Sequence, residues 1–263
     1  PTGTSSRACN HSAGAFHQRA MLFRLAQRHG GLFLGTCEHI FAPRVALSLP
    51  YHMKLVDLSH PLVHGAAAFP NDPKLAIIPH GCIATHQYHI SQVLIGTHQG
   101  THLDAMYHFF DDGRTLDQMP LDWFYGPARM LRLPKEPNGE ITVDDLRPHA
   151  AHLTPGAKII INTGWHHRFG QPDYFTDFPS FTLGAARFLA LQKIRLLGMD
   201  IPTPGKQWLE LHHILLAREV EIVVVESLAN LDALPDTFTF AGFPLNFAGR
   251  DGSPIRAVAI CDP

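Results

Sequence analysis

Residues 96–110 read GTHQGTHLDAMYHFF, which places three histidines and an aspartate between His98 and His108. Imidazole and carboxylate groups ligate divalent transition metals. Two of the first with one of the second leave coordination positions open for water and substrate. An ion held that way lowers the pKa of its water toward neutrality and polarises a carbonyl. Spacing decides which groups can converge. In a helix His98 and His102 would share a face, but Asp104 would lie well round the cylinder, and Gly100 and Thr101 disfavour a helix there. In an extended strand the side chains of 98, 100, 102 and 104 all point one way, because the period is two. A strand therefore predicts His98, His102 and Asp104 as metal ligands, with Gly100 leaving room for an ion and its water. His108, four residues on, is placed to take a proton from water and return it to a leaving group. A lone histidine on a strand is usually a solvated or hydrogen-bonded group. Four such groups at this spacing point to a metal site.

The elements that must hold these groups mix two periodicities. Strands are expected from KLVDLS (54–59), AIIPHGCIATH (76–86), AKIIINTGW (157–165), IRLLGMDIP (194–202), VEIVVVESL (220–228), FTFAGFPLNF (238–247) and PIRAVAICD (254–262). Helices are expected over 180–193, capped by Ser180 or Thr182, and over 208–219. The fold class is α/β, a mixed β-sheet with flanking helices. The chain has 263 residues, 45% hydrophobic and 17% charged, which fits one sizeable domain or one domain plus an appendage. A net charge of −2 suggests neither a nucleic acid nor a membrane surface as partner, and leaves a small-molecule substrate. The four cysteines, Cys9, Cys37, Cys82 and Cys261, form no CxxC pair, so a disulfide framework and a zinc-thiolate site are both disfavoured. That usage fits a reducing, cytoplasmic setting. No run of about 18 apolar residues occurs. GxGxxG, Walker, GxSxG and HExxH motifs are absent, which weakens nucleotide, serine-hydrolase and zincin readings.

Residues 1–52 have a different texture. Up to Ala46 they carry Arg7, Arg19, Arg24, Arg28 and Arg44 against one acid, Glu38, and AFHQRAMLFRLAQRHGG reads as a short amphipathic helix. The expected division is an N-terminal extension, 1–52, and a domain, 53–263. An organellar transit peptide and an ordinary N-terminal helix are both compatible with the extension.

HQGTHLDAMYHF resembles the HxGTHxDAPxHF signature of the cyclase family, metal-dependent hydrolases that include bacterial kynurenine formamidases and isatin hydrolases. LVDLSHPL, GRTLDQMPLDWFYGPARML, GMDIPTP, HHILL, VVVESLANLDAL and FPLNFAGRDGSPIRAVAI are similar to further blocks of that family, in order, from Met53 to the end. The resemblance implies a swivelling β/β/α architecture, manganese or zinc as cofactor, and a homodimer or homotetramer. It implies His98, His102 and Asp104 as ligands and His108 as catalytic acid/base. It also implies that His212, with His213 as its rival, and Glu226 join the catalytic set and bind a second metal in the formamidases. Two features depart from the family. Met106 stands where the signature has Pro. The connection between HHILL and Glu226 is two residues longer, which would slide Glu226 about 6.6 Å along its strand unless a loop absorbs it.

The family's precedents are flat aromatic amides attacked at a carbonyl by metal-bound hydroxide. An aromatic wall is therefore expected, with Phe69 and Trp165 as substrate-binding residues and Trp123 and Phe124 as further candidates. The formamidases tend to carry Trp before Pro in the early loop, whereas this chain has Phe69-Pro70. The reading is an isatin-type hydrolase that opens a cyclic amide. The alternatives are an arylformamidase and a non-catalytic metal- or ligand-binding protein on the same scaffold.

Overall fold

The computed structural model describes residues 53–262; the expected helix and extension before them lie outside the described residues. The strands are β1 (Lys54–Asp57), β2 (Ala76–Gly81), β3 (Ile90–Leu94), β4 (His102–Asp104), β5 (Tyr125–Arg132), β6 (Glu140–Ile141), β7 (Lys158–Asn162), β8 (Ser180–Phe181), β9 (Leu196–Met199), β10 (Val223–Glu226), β11 (Thr237–Ala241), β12 (Gly252–Pro254) and β13 (Val258–Cys261). The helices are α1 (Ile83–His86), α2 (Val143–Leu146), α3 (Leu183–Gln192) and α4 (Trp208–Leu215).

Nine strands form one sheet in the order β1-β13-β11-β5-β7-β9-β10-β4-β12. β5, β7, β9 and β10 are mutually parallel, and antiparallel strands flank them on both sides. The parallel centre explains the apolar runs. Ile159, Ile161, Leu197 and Val224 enter one core, while Ile160, Leu196, Val223 and Val225 enter the other. A strand covered on both faces needs apolar residues at every position. The first core also takes Ala185 and Leu189 of α3 and Leu211 and Leu215 of α4, so the helices lie on that side. The second core is closed by turns and coil that carry Leu116, Met119, Phe124 and Leu231.

The mixed sheet with flanking helices agrees with the sequence reading, and several boundaries do not. Residues 76–86 are not one strand: β2 ends at Gly81 and Cys82 opens α1. α4 stops at Leu215 rather than Glu219. α3 is capped by Thr182, whose Oγ1 accepts from Ala185 N at 3.2 Å, and Ser180 belongs to β8. β5 was not among the expected strands; its Pro127 stands in the ladder opposite Thr239. Among the described residues no helix is long and apolar enough to cross a membrane.

Candidate metal centre

β4 is three residues long and lies between β10 and β12. Its register sets His102 opposite Glu226 and Asp104 opposite Val224. Directly opposed residues share a side of the sheet, and Val224 belongs to the helix-side core. His102, Asp104 and Glu226 therefore stand together under the helices, while Leu103 between them enters the opposite core. α4 brings in His212 from above. Leu211, His212 and Leu215 are its buried positions, and His213 is exposed, against Phe109 and Phe110.

Each of these imidazoles is oriented by a backbone carbonyl. His102 Nδ1–H donates to Gly100 O at 2.8 Å, and His212 Nδ1–H donates to Trp208 O at 2.7 Å. Both Nε2 atoms then face carboxylates. His102 Nε2 is 3.5 Å from Asp104 Oδ1 and 3.2 Å from Glu226 Oε2. His212 Nε2 is 3.4 Å from Asp104 Oδ2 and 3.4 Å from Glu226 Oε1. Asp104 and Glu226 are 1% and 4% exposed, and Asp104 Oδ2 and Glu226 Oε1 have no hydrogen-bond partner among the described residues. Lone pairs turned on buried carboxylate oxygens repel unless a proton or a cation lies between them. Two neighbouring donor sets, His98–His102–Asp104 and Asp104–His212–Glu226, have their ligand atoms within 4.8 Å of one another, and Asp104 belongs to both. The donors fit a divalent ion in type, in burial and in second-sphere orientation.

His98 arrives by a route other than the expected strand. β4 begins only at His102, and residues 97–98 are a turn. Gly100 at φ +64° bends the chain in a way that a side chain would resist. The ring nevertheless meets Asp104, with Nδ1 2.8 Å from Oδ1, while Nε2 lies 2.8 Å from Asp251 Oδ2. Against the penalty of burial, Asp104 and then Asp251 raise His98 to about 10. Burial likewise opposes protonation of His212, but Asp104 and Glu226 raise it to about 9. Gly252 is what lets His98 fit. It sits opposite Asp104 in β12, and a Cβ there would lie 2.5 Å from His98 Cε1.

His108 ends the short turn Met106–His108 and stacks on His98, with centroids 3.8 Å apart and planes 25° from parallel. Burial, with His98 and His212 nearby, outweighs Asp104 and lowers His108 to about 4, so the ring is neutral and can accept a proton. Met106, in place of the signature's Pro, is buried in the core.

A cavity of about 750 Å³ opens over these groups, walled by Phe69, Phe109, Phe169, Phe175 and Trp208. Phe69 is thus on the cavity wall. Trp165 is not. It is 3% exposed in the helix-side core, and its Nε1–H donates to Tyr174 O at 3.0 Å. The chain turns at Gly164 (φ +86°), and the indole drops under the turn rather than into the cavity. Trp123 packs on the opposite core with Arg195 4.0 Å over its ring, and Phe124 is fully buried. Asp251 escaped the sequence reading. It lies within the FPLNFAGRDGSPIRAVAI block, but nothing local marks it as the partner of a histidine 153 positions away.

The chain matches the family described as "Putative cyclase" over residues 56–206. It is 32% identical over 175 residues to a kynurenine formamidase of Geobacillus thermodenitrificans, covering 64% of this chain and 78% of that protein. Identity to a kynurenine formamidase of Bacillus anthracis is 27% over 214 residues, 78% of this chain and 96% of that one. Among solved structures, an isatin hydrolase bound to thioisatinate shares the fold with a TM-score of 0.71 at 23% identity, covering 80% of this chain and 93% of that one. The structure of a potential metal-dependent hydrolase with cyclase activity gives 0.67 at 25% identity, covering 80% of this chain and 98% of that one.

Proposed function

The chain belongs to the cyclase family, and from that premise we propose that it is a divalent-metal-dependent hydrolase of an amide bond carried on a flat aromatic group. The observation that carries this reading is the pair of buried carboxylates, Asp104 and Glu226, faced by the Nε2 atoms of His102 and His212 at the floor of an aromatic-walled cavity. His98, His102 and Asp104 would hold the ion, manganese or zinc, with His212 and Glu226 completing the set. When bound, the ion supplies a Lewis acid and lowers the pKa of water.

The chain's own groups do the rest. Neutral His108 takes the proton from the attacking water and returns it to the leaving nitrogen, so that bond cleavage does not release an amide anion. His98, stacked beneath it, fixes its plane. Asp251 holds the far side of His98 and lies 4.0 Å from His108 Nδ1. The ring walls, with Phe69 edge-on to Phe175 at 6.2 Å, suit a planar substrate and displace water from it.

The first substrate reading is a cyclic aryl amide of the isatin type, on the strength of Phe69 before Pro70. An open-chain aryl formamide is favoured by a different observation, the 32% identity to a protein named kynurenine formamidase. Side-by-side kcat/KM values for isatin and N-formylkynurenine decide between them. A value for isatin higher by a factor of about 100, some 2.7 kcal/mol of transition-state discrimination, supports the cyclic amide; the reverse order assigns the formamide. Turnover of neither, nor of other aryl amides, by metal-loaded protein would overturn both in favour of a binding protein on this scaffold.

A further inference from the structure

A second cluster of histidine and carboxylate groups lies away from the centre just described. The turn after β7, Trp165–Arg168, carries His166 and His167 side by side. Both face Asp232 in the turn Leu231–Ala233. His166 Nε2 is 3.5 Å from Asp232 Oδ2, and His167 Nε2 is 2.7 Å from the same oxygen.

The tautomer of His166 is fixed from behind. Asp200 is fully buried and accepts from Thr163 N at 3.1 Å and Thr163 Oγ1 at 2.7 Å. A carboxylate so placed is an acceptor, so His166 Nδ1, 3.1 Å from Asp200 Oδ2, carries the proton. Nε2 then presents its lone pair to Asp232. A buried carboxylate that orients an imidazole whose other nitrogen points outward is the support a metal-ligating histidine receives. Asp232 is prepared in the same way. Its Oδ1 accepts from Asn162 Nδ2 at 3.1 Å, which turns Oδ2 toward the histidines. All three residues border a cavity of about 400 Å³, which His60 also lines. His60 Nε2 is buried and has no hydrogen-bond partner among the described residues.

We propose that His166, His167 and Asp232 form a second divalent-metal site, for a borderline ion such as zinc, that shares no residue with the cluster around Asp104. Donors on a tetrahedral ion with bonds of about 2.1 Å are separated by about 3.4 Å. The His166–Asp232 distance already has that value. The His167–Asp232 distance must open, and both side chains are free to do so, being 64% and 60% exposed. An exposed His–Asp pair contributes little to stability by itself; Asp200 both holds the turn after β7, through Thr163 N and Oγ1, and aims His166 at Asp232. An ion here would tie the turn after β7 to the loop that follows Glu226, and so brace the floor of the cavity from outside.

The test is zinc content. Full-length protein, first loaded at the Asp104 centre, is equilibrated with micromolar free zinc, and metal per chain is counted for wild type, His167→Ala and Asp232→Asn. Both substitutions are at exposed positions, and the second keeps the side-chain shape. The wild type is expected to hold one equivalent more than either variant, and its thermal midpoint to rise with zinc by more than theirs. Equal zinc content in the wild type and both variants, or an extra equivalent that appears only at millimolar zinc, would overturn the proposal.

Discussion

At the scale of residues, the site divides into groups that hold an ion and groups that move a proton, and substitution separates them. Asp104 contacts His98, His102 and His212 at 2.8, 3.5 and 3.4 Å, so Asp104→Ala is expected to lose bound metal and activity together. His108 contacts no carboxylate closer than 4.0 Å, so His108→Ala is expected to keep the metal and lose turnover by a factor of about 100 or more, read as kcat beside metal analysis. Near-wild-type kcat in that variant would remove His108 from the chemistry. Asp251→Asn takes a charged partner from His98 without touching the other ligands. A fall in metal affinity or kcat of about 10- to 100-fold is expected, and an unchanged enzyme would make Asp251 a bystander. His102 and Asp104 were legible because alternation in a strand is a local property. Asp251 was not, because its meeting with His98 is made by the β12–β4 pairing. Trp165 was misread for the same reason: its type is visible in sequence, but the direction of its side chain depends on a left-handed Gly164.

At the scale of elements, short strands position the chemistry and their neighbours keep it in place. Parallel β7, β9 and β10 could be read directly, since burial on both faces leaves an unbroken apolar signature. The segment 97–101 could not, since Gly100 turns it and tertiary contacts alone return His98 to the cluster. Gly252→Ala tests that reconstruction. Its Cβ would fall 2.5 Å from His98 Cε1 and 3.0 Å from Leu103 O, so the imidazole must shift and metal affinity is expected to drop about tenfold or more, measured by titration. A control lies outside the cavity lining. α2 begins with a capping box in which Thr142 N donates to Asp145 Oδ2 at 2.7 Å, and Lys135 Nζ donates to Oδ1 at 2.7 Å. Burial works the other way, but these hydrogen bonds hold the Asp145 carboxyl below the ordinary range. A depressed carboxylate stabilises the fold above its unfolded value, about 3.9, and the contribution is lost as pH falls through the folded value. Asp145→Asn should therefore cost about 1 kcal/mol at neutral pH. The gap in thermal midpoint should close below about pH 4, with activity unaffected throughout.

At the scale of the whole molecule, one face of the β2–β3 ribbon carries apolar side chains that the other described residues leave uncovered: Ile78, Ile90 and Leu94 are 44–53% exposed. Surfaces of this kind belong to association interfaces, and we expect a homodimer or homotetramer; sedimentation velocity reporting a monomer at micromolar concentration would refute that. The mixed sheet and its helices were readable from periodicity, whereas strand order, which places β4 beside β10 and so builds the site, is a long-range property that no local pattern carries. The most direct test of the account is turnover of an aryl amide by chelator-treated protein, before and after manganese or zinc is restored. Activity that vanishes with the metal and returns with it, in the wild type but not in Asp104→Ala, is the predicted result. Full activity in protein stripped of metal would contradict the assignment of the Asp104 cluster as a metal-dependent hydrolytic centre.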